Sequence, residues 1–295
     1  MNKFIVSVDS TTLLTNEQKK EHGIISTPLY YTLDGVTKVD EFENENEKIA
    51  FYERLRNGGR AKSSMIAPYD FIQKWTPVLK AGHDILHLSI SKEVSGCYDS
   101  AITAKAELKE KYPDRQIEIW DTTIACFNVS KMAVAAVSMQ KKGLSMQEVI
   151  EKLDREKYQH NLIFTVDDIG HIHRGGRIGH VKALIGSALR LKPILYVSEK
   201  AIIEQLGNAR GRKKSFDYIV DVINKCKTDK TTWASISHGG DEATAIKLKA
   251  AILEKYKQIK DVEIGILSPV LGLHAGPGSF TLSFFGNNRD FPLHN

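Results

Sequence analysis

Three short apolar runs in the first half of the chain each stop at an acid or a small hydroxyl. No other feature restricts the fold as much. Lys3–Val8 ends at Asp9-Ser10-Thr11-Thr12, His83–Ile90 ends at Ser91, and Gln116–Trp120 ends at Asp121-Thr122-Thr123. Apolar runs of this length, bounded by turn residues, read as strands. Helical patterns follow them. Tyr98–Lys111 carries Ala101, Ala104 and Leu108 at helical spacing, with Pro113 beyond it. Ile124–Lys142 reads as a long helix closed by Gly143. Ser145-Met146-Gln147-Glu148 has the form of a capping box and predicts a helix to about Tyr158. Alternating strands and helices predict an α/β fold with a mainly parallel sheet flanked by helices on both faces.

The second half repeats the style with different spacing. Strands are expected at Leu162–Val166, Ile194–Val197, Ala201–Gln205, Thr232–Ser237, Val262–Leu267 and Phe280–Phe285. Helices are expected at Ile178–Leu191 (stopped by Pro193), Phe216–Cys226 and Glu242–Tyr256. A length of 295 residues suits two domains. The boundary is placed near Val166, giving an N-terminal α/β domain over 1–166 and a smaller C-terminal α/β domain over 167–295.

Composition excludes several classes. A hydrophobic fraction of 42% and a charged fraction of 26% rule out a disordered chain, a collagen-like chain and a coiled coil. No apolar run approaches the roughly 18–20 residues of a membrane span. The N-terminus reaches Asp9 too soon for a signal-peptide core, so a cytoplasmic protein with peripheral or no membrane contact is expected. Cys97, Cys126 and Cys226 are odd in number and far apart, which fits neither a disulfide framework nor a zinc ribbon. The charge of +5 is modest, and its densest cluster, Arg210-Gly211-Arg212-Lys213-Lys214, lacks interleaved aromatics. His171, His173 and His180 crowd near Asp167 and Asp168 without ligand spacing, so no metal is expected. The chain has no P-loop lysine and no G-x-S-x-G elbow around Ser95.

In open α/β sheets, ligands bind beyond the carboxyl ends of the strands. Here those ends are rich in hydroxyls, and Ser95-Gly96 opens a helix whose free N–H groups suit an anion. Each hydroxyl can equally be a plain helix cap. Arg174-Gly175-Gly176-Arg177 reads as a tight turn or an anion contact. His274-Ala275-Gly276-Pro277-Gly278 reads as a rigid irregular turn that holds a histidine before the last strand.

In order, these pieces resemble the DegV family, whose better-understood members are the FakB fatty-acid-binding proteins of bacterial fatty acid kinase. The resemblance runs nearly end to end: Asp9-Ser10-Thr11, Ser63-Ser64-Met65-Ile66, Ser91 to Ala101 with Cys97 in place of threonine, and Ile119 to Thr122. It continues through Gly175 to Ile178, Lys192 to Leu195, Asn208-Ala209-Arg210 and His274 to Gly278. It implies a two-domain DegV-like fold that binds a long-chain fatty acid, with the His274 turn at an inter-domain site. The carboxylate would be held by Ser63 and Ser95 with His274 nearby, and Ser64 and Gly96 would line the same site. Arg210 and Arg177 would lie near the carboxylate mouth or a face that docks a kinase catalytic subunit. No catalytic residue and no cofactor beyond the fatty acid are implied. Met65-Ile66 departs from the family's polar-proline pair, and Asn208 replaces a lysine. Two other readings stay open. One is an enzyme, either a Ser/His hydrolase or a kinase akin to dihydroxyacetone kinase. The other is a regulatory protein that contacts nucleic acid.

Overall fold

A computed structural model describes residues 4–42, 44–177 and 191–290. The first half is built on β1 (Phe4–Asp9), α1 (Asn16–His22), β2 (Ile25–Thr27), β3 (Tyr30–Leu33) and β4 (Val36–Val39). These are followed by α2 (Glu45–Arg56), β5 (Ala61–Ser64), α3 (Pro68–Lys80), β6 (Asp84–Ser89), α4 (Cys97–Lys111), β7 (Ile117–Asp121), α5 (Phe127–Lys141) and α6 (Met146–Glu156). The second half contains β8 (His160–Thr165), α7 (Gly170–Arg174), β9 (Leu191–Val197), β10 (Ile203–Arg210), α8 (Arg212–Cys226) and β11 (Trp233–His238). The chain then forms α9 (Glu242–Lys255), β12 (Asp261–Ile266), α10 (Pro269–Ala275) and β13 (Phe280–Phe285).

The three apolar runs become β1, β6 and β7, and with the short β2, which the sequence pattern does not reveal, they form one parallel sheet in the order β2-β1-β6-β7. Its central strands are buried at every position but Ile5, as expected where helices cover both faces. The Ser145 capping box is present, with Ser145 accepting from the Glu148 N–H and Glu148 accepting from the Ser145 N–H. The expected helix from Ile124 begins later, at Phe127, because Cys126 takes φ 62 and ψ −151, which no helix accommodates.

A three-stranded antiparallel sheet, β4-β3-β5, stands beside the parallel one. Its strands are only four residues long and weakly apolar, so periodicity does not reveal them.

The second half holds a six-stranded sheet in the order β10-β9-β8-β13-β11-β12. Only β11 and β12 pair in parallel; the other neighbours are antiparallel. β8 pairs with β9 and β13, so residues 160–165 belong to this second sheet. The change of sheet therefore falls before His160, a few residues ahead of the 166 boundary read from sequence.

The helix expected over Ile178–Leu191 lies outside the described residues, except that Leu191 itself opens β9. Pro193 sits inside that strand and pairs with Asn208, beyond the stretch that bonds to β8, where a missing N–H is tolerated. Two hydrophobic clusters fill the molecule. One joins the parallel sheet, α3 to α6 and the inner face of β8 and β9; the other lies between the second sheet and α8 and α9. Helix α5 packs on β1 and also on β8, β11 and β13, so it is shared between the two sheets.

Candidate functional site

Three separate elements bring hydroxyls and a histidine to one place. β5 pairs with β3 in a register that sets Ser63 opposite Tyr31 and Ser64 opposite Tyr30. The start of α4 supplies Ser95 and Gly96, and the Cys97 N–H donates to Ser95 Oγ at 3.3 Å. The last turn of α10 supplies His274. The sequence reading had this histidine on an irregular turn. The turn instead follows it, at Gly276 (φ 81) and Gly278 (φ 75), because Pro269 at the first helical position starts a short helix.

Ser63 Oγ and His274 Nε2 lie 2.9 Å apart, a hydrogen bond across 211 positions of sequence. Burial, helped by the positive charge of Arg177, pushes the His274 imidazole down to about 4. The ring is therefore neutral near pH 7. Its Nδ1 is buried and has no hydrogen-bond partner among the described residues. That edge of the ring faces Gly175, where a Cβ would lie 2.1 Å from Nδ1. Gly175 is thus required by close approach, a reason the sequence did not disclose. At Gly96, a Cβ would meet only the flexible Met65 Sδ, at 2.9 Å.

These groups line a cavity of about 280 Å³, near the lower end of small-molecule pockets. Ser63, Ser64, Ser91, Ser95, Gly96, Arg177, His274 and Thr281 contribute its polar part. The remaining wall is almost wholly apolar, from Ile90, Ile124, Leu162, Phe164, Val197 and Val270 among others. Ser63, Arg177 and His274 also line an adjoining cleft of about 1270 Å³. The three shared residues mark the mouth where cavity meets cleft. The cleft is rich in charge: Arg56, Arg60, Lys62, Arg174 and Arg212 face Asp167, Asp168 and Asp241. Arg212 bridges Asp167 and Asp241, and the Arg177 Nε donates to the Val94 carbonyl at 3.0 Å.

The structure thus brings together Ser63, Ser64, Ser95, Gly96, Arg177 and His274. It does not bring Arg210 with them. Arg210 ends β10 opposite Leu191, exposed, and lines neither cavity nor cleft; Arg212, two residues on, lines the cleft. Ser91, just beyond the end of β6, also lines the cavity, and other strand-end acids and hydroxyls serve the fold. Asp9 is fully buried and accepts from the Thr11 N–H, the Thr11 hydroxyl and the Ile90 N–H. Burial raises its carboxyl, against the lowering effect of those bonds. Thr123 bonds the buried Arg289 through both its carbonyl and its hydroxyl. Of the histidines upstream, His171 lines the cleft and His180 lies outside the described residues. Among the described residues, no three His, Cys, Asp or Glu side chains converge as a metal site would need.

Sequence reasoning missed Asp40. This carboxylate is 1% exposed. It accepts from the Ser10 hydroxyl at 2.6 Å, the Ser268 hydroxyl at 3.2 Å and the Val270 N–H at 2.7 Å. It therefore ties the end of β1 and the segment after β4 to the start of α10, the helix that carries His274. Burial is the largest cause of its rise to about 7. A lone aspartate after an exposed four-residue strand carries no sequence signal of this role.

Residues 3–287 match the DegV family, a family described as uncharacterised. The chain belongs to the DegV family. A DegV domain-containing protein of Clostridium perfringens is 33% identical over 293 residues, covering 98% of this chain and 100% of its own. A DegV family protein of Thermus thermophilus, described as fatty-acid binding, superposes with a TM-score of 0.87 at 28% identity, over 97% of this chain and 100% of its own. The fatty acid kinase (Fak) B3 protein of Streptococcus pneumoniae, solved with linoleic acid, shares the fold with a TM-score of 0.81 at 20% identity, over 97% and 100%. The α/β class and the DegV-like architecture are thus as the sequence implied. No helix among the described residues is long and apolar enough to cross a membrane.

Proposed function

We propose that this DegV protein binds a long-chain fatty acid in the cavity and presents its carboxylate at the mouth to a separate fatty acid kinase, which forms the acyl phosphate. The observation that carries this reading is the cavity itself: largely apolar walls with hydroxyls at Ser63, Ser64, Ser91, Ser95 and Thr281, opening beside Ser63, His274 and Arg177 on a charged cleft. A chain of about a dozen buried methylenes gains on the order of 10 kcal/mol, enough to retain the ligand against release. The carboxylate then needs hydrogen bonds from its surroundings. With the neutral His274 donating from Nε2 to Ser63 Oγ, the Ser63 hydroxyl is free to donate to the carboxylate. Ser95 adds a second hydroxyl and Arg177 a positive charge.

The fatty-acid description of the Thermus thermophilus relative supports the ligand class. The kinase partner rests on the family resemblance, with Arg177 and the exposed Arg210 as docking residues. The ligand would lie between the two domains read from the sequence, 1–166 and 167–295, in a cytoplasmic protein.

The hydrolase reading has one observation in its favour, the Ser63–His274 hydrogen bond. Two others weigh against it. A histidine held near 4 is a poor general base at neutral pH. Its Nδ1 also meets no carboxylate that would orient the ring as a catalytic triad requires.

Protein purified from a bacterial host, denatured and extracted, is expected to yield one fatty acid per chain by mass spectrometry. Ser95→Ala combined with His274→Ala is expected to lower that yield. An extract without stoichiometric fatty acid overturns the proposal.

A further inference from the structure

The face of the second sheet that packs under α5 has an unusual composition. On β11 and β13, four successive positions of this face are hydroxyls: Ser235 and Ser237 on one strand, Thr281 and Ser283 on the other. The antiparallel register sets Ser235 directly opposite Ser283 and Ser237 opposite Thr281. On the other side of β13, Thr281 faces Phe164 and Ser283 faces Leu162. All four hydroxyl residues are buried, with Ser235, Ser237 and Ser283 at 0% exposure and Thr281 at 6%. None of the four side-chain oxygens has a hydrogen-bond partner among the described residues. The opposite face of the same two strands is conventional, with Ala234, Ile236, Leu282 and Phe284 in the second hydrophobic cluster. The hydroxyls are therefore confined to the side that meets α5 and the cavity.

A buried hydroxyl without a partner costs free energy, and native interiors satisfy such groups with protein, water or ligand. Thr281 lines the acyl cavity together with Leu162 and Phe164. Its partner can therefore come from whatever occupies that cavity. Thr281 pairs across the sheet with Phe164, itself an apolar residue of the cavity wall, so the group proposed to meet it is one borne on the hydrocarbon chain of the ligand.

We propose that Thr281, backed by Ser237, forms a polar subsite in the wall of the acyl cavity that accepts a hydroxyl borne on the ligand's hydrocarbon chain, making a hydroxy fatty acid the preferred ligand. This deepens the fatty-acid reading and rests on it. A hydroxyl both donates and accepts, as Thr281 does, so the pair is complementary in either direction. A wall built to bond such a group discriminates against the chain that lacks it, because the buried hydroxyl is then left unpaired.

The test uses the delipidated full chain, titrated with stearate and with a series of hydroxystearates differing in hydroxyl position. At least one isomer is expected to bind about fivefold tighter than stearate, or more. Thr281→Val, which keeps the shape and removes the hydroxyl, abolishes that advantage, so that stearate and the favoured isomer bind within about twofold of each other. Thr281→Ser, which keeps the hydroxyl, retains it. The inference is overturned if stearate binds and no isomer surpasses it, or if the advantage survives in Thr281→Val. Absence of binding by stearate and by every isomer overturns the fatty-acid reading itself.

Discussion

Gly175→Ala tests the geometry of the head-group site with a single methyl. Gly175 has φ −73 and ψ −12, ordinary helical values that alanine adopts without strain. The effect must therefore come from what the methyl meets. It would lie 2.1 Å from His274 Nδ1 and 2.8 Å from Cε1. Carbon and nitrogen pack at about 3.5 Å, so the ring must retreat by more than about 1 Å. The Ser63 Oγ to His274 Nε2 distance is 2.9 Å, and a retreat of that size takes the pair out of hydrogen-bonding range. A hydrogen bond supporting an anionic group is worth about 1.5–3 kcal/mol, so fatty acid affinity should fall by roughly 10- to 150-fold. Folding stability should fall by about 1–3 kcal/mol, since the φ suits alanine but the extra methyl must displace a buried ring. Calorimetric titration of delipidated protein with palmitate, with a thermal melt of the same sample, reads both quantities. In a His274→Ala background the methyl has no ring to displace, and Gly175→Ala should then cost nothing further. Unchanged affinity in the single variant, or an equal loss in the His274→Ala background, refutes this account of the site.

Three further outcomes follow from buried groups. Asp40 has its carboxyl raised from 3.8 to about 7, so the folded state favours the protonated form. Stability from this group is present below pH 4 and is lost as the pH rises through 7, on the order of 4 kcal/mol in all. Asp9, also raised and interacting with Asp40, acts in the same direction. Asp40→Asn, which keeps an acceptor for the Val270 N–H, should flatten the urea-unfolding profile between pH 4 and 7; an unaltered profile contradicts the assignment. Arg289 is fully buried and donates to the Thr123 carbonyl at 2.9 Å and hydroxyl at 2.7 Å. Arg289→Ala should lower the unfolding free energy by about 2–4 kcal/mol, and lysine should not restore it because it lacks the planar fork. Burial pushes the Cys97 thiol up to about 11 and those of Cys126 and Cys226 to about 12. Ellman's reagent should therefore modify none of them in the native protein at pH 8 and all three in guanidinium.

How much of this was legible in the sequence depends on the range of the interaction. Three strands of the parallel sheet could be read because each is a continuous apolar run with a polar stop, a signal contained within about ten residues, whereas the three-residue β2 carries no such signal. The Ser145 capping box is local in the same way. The three-stranded sheet was not legible: Val36–Val39 is exposed throughout, and its place is fixed by pairing to β3 alone. The antiparallel character of the second sheet also escaped, since strand direction is decided by which distant partner a strand finds. At the site, Ser63, Ser95 and His274 were read from motif order and do meet at the cavity, whereas Arg210 was read in the same way and does not line it. Gly175 and Asp40 mark the limit. The glycine matters because a histidine 99 positions later presses against it, and the aspartate matters because Ser268 and Val270 arrive beside it. Both restrain His274, one from behind the ring and the other at the start of its helix. The head-group geometry therefore depends on long-range restraint of a short helix as much as on the residues that touch the ligand, and substitutions at Gly175 and Asp40 should perturb binding without removing a single ligand contact.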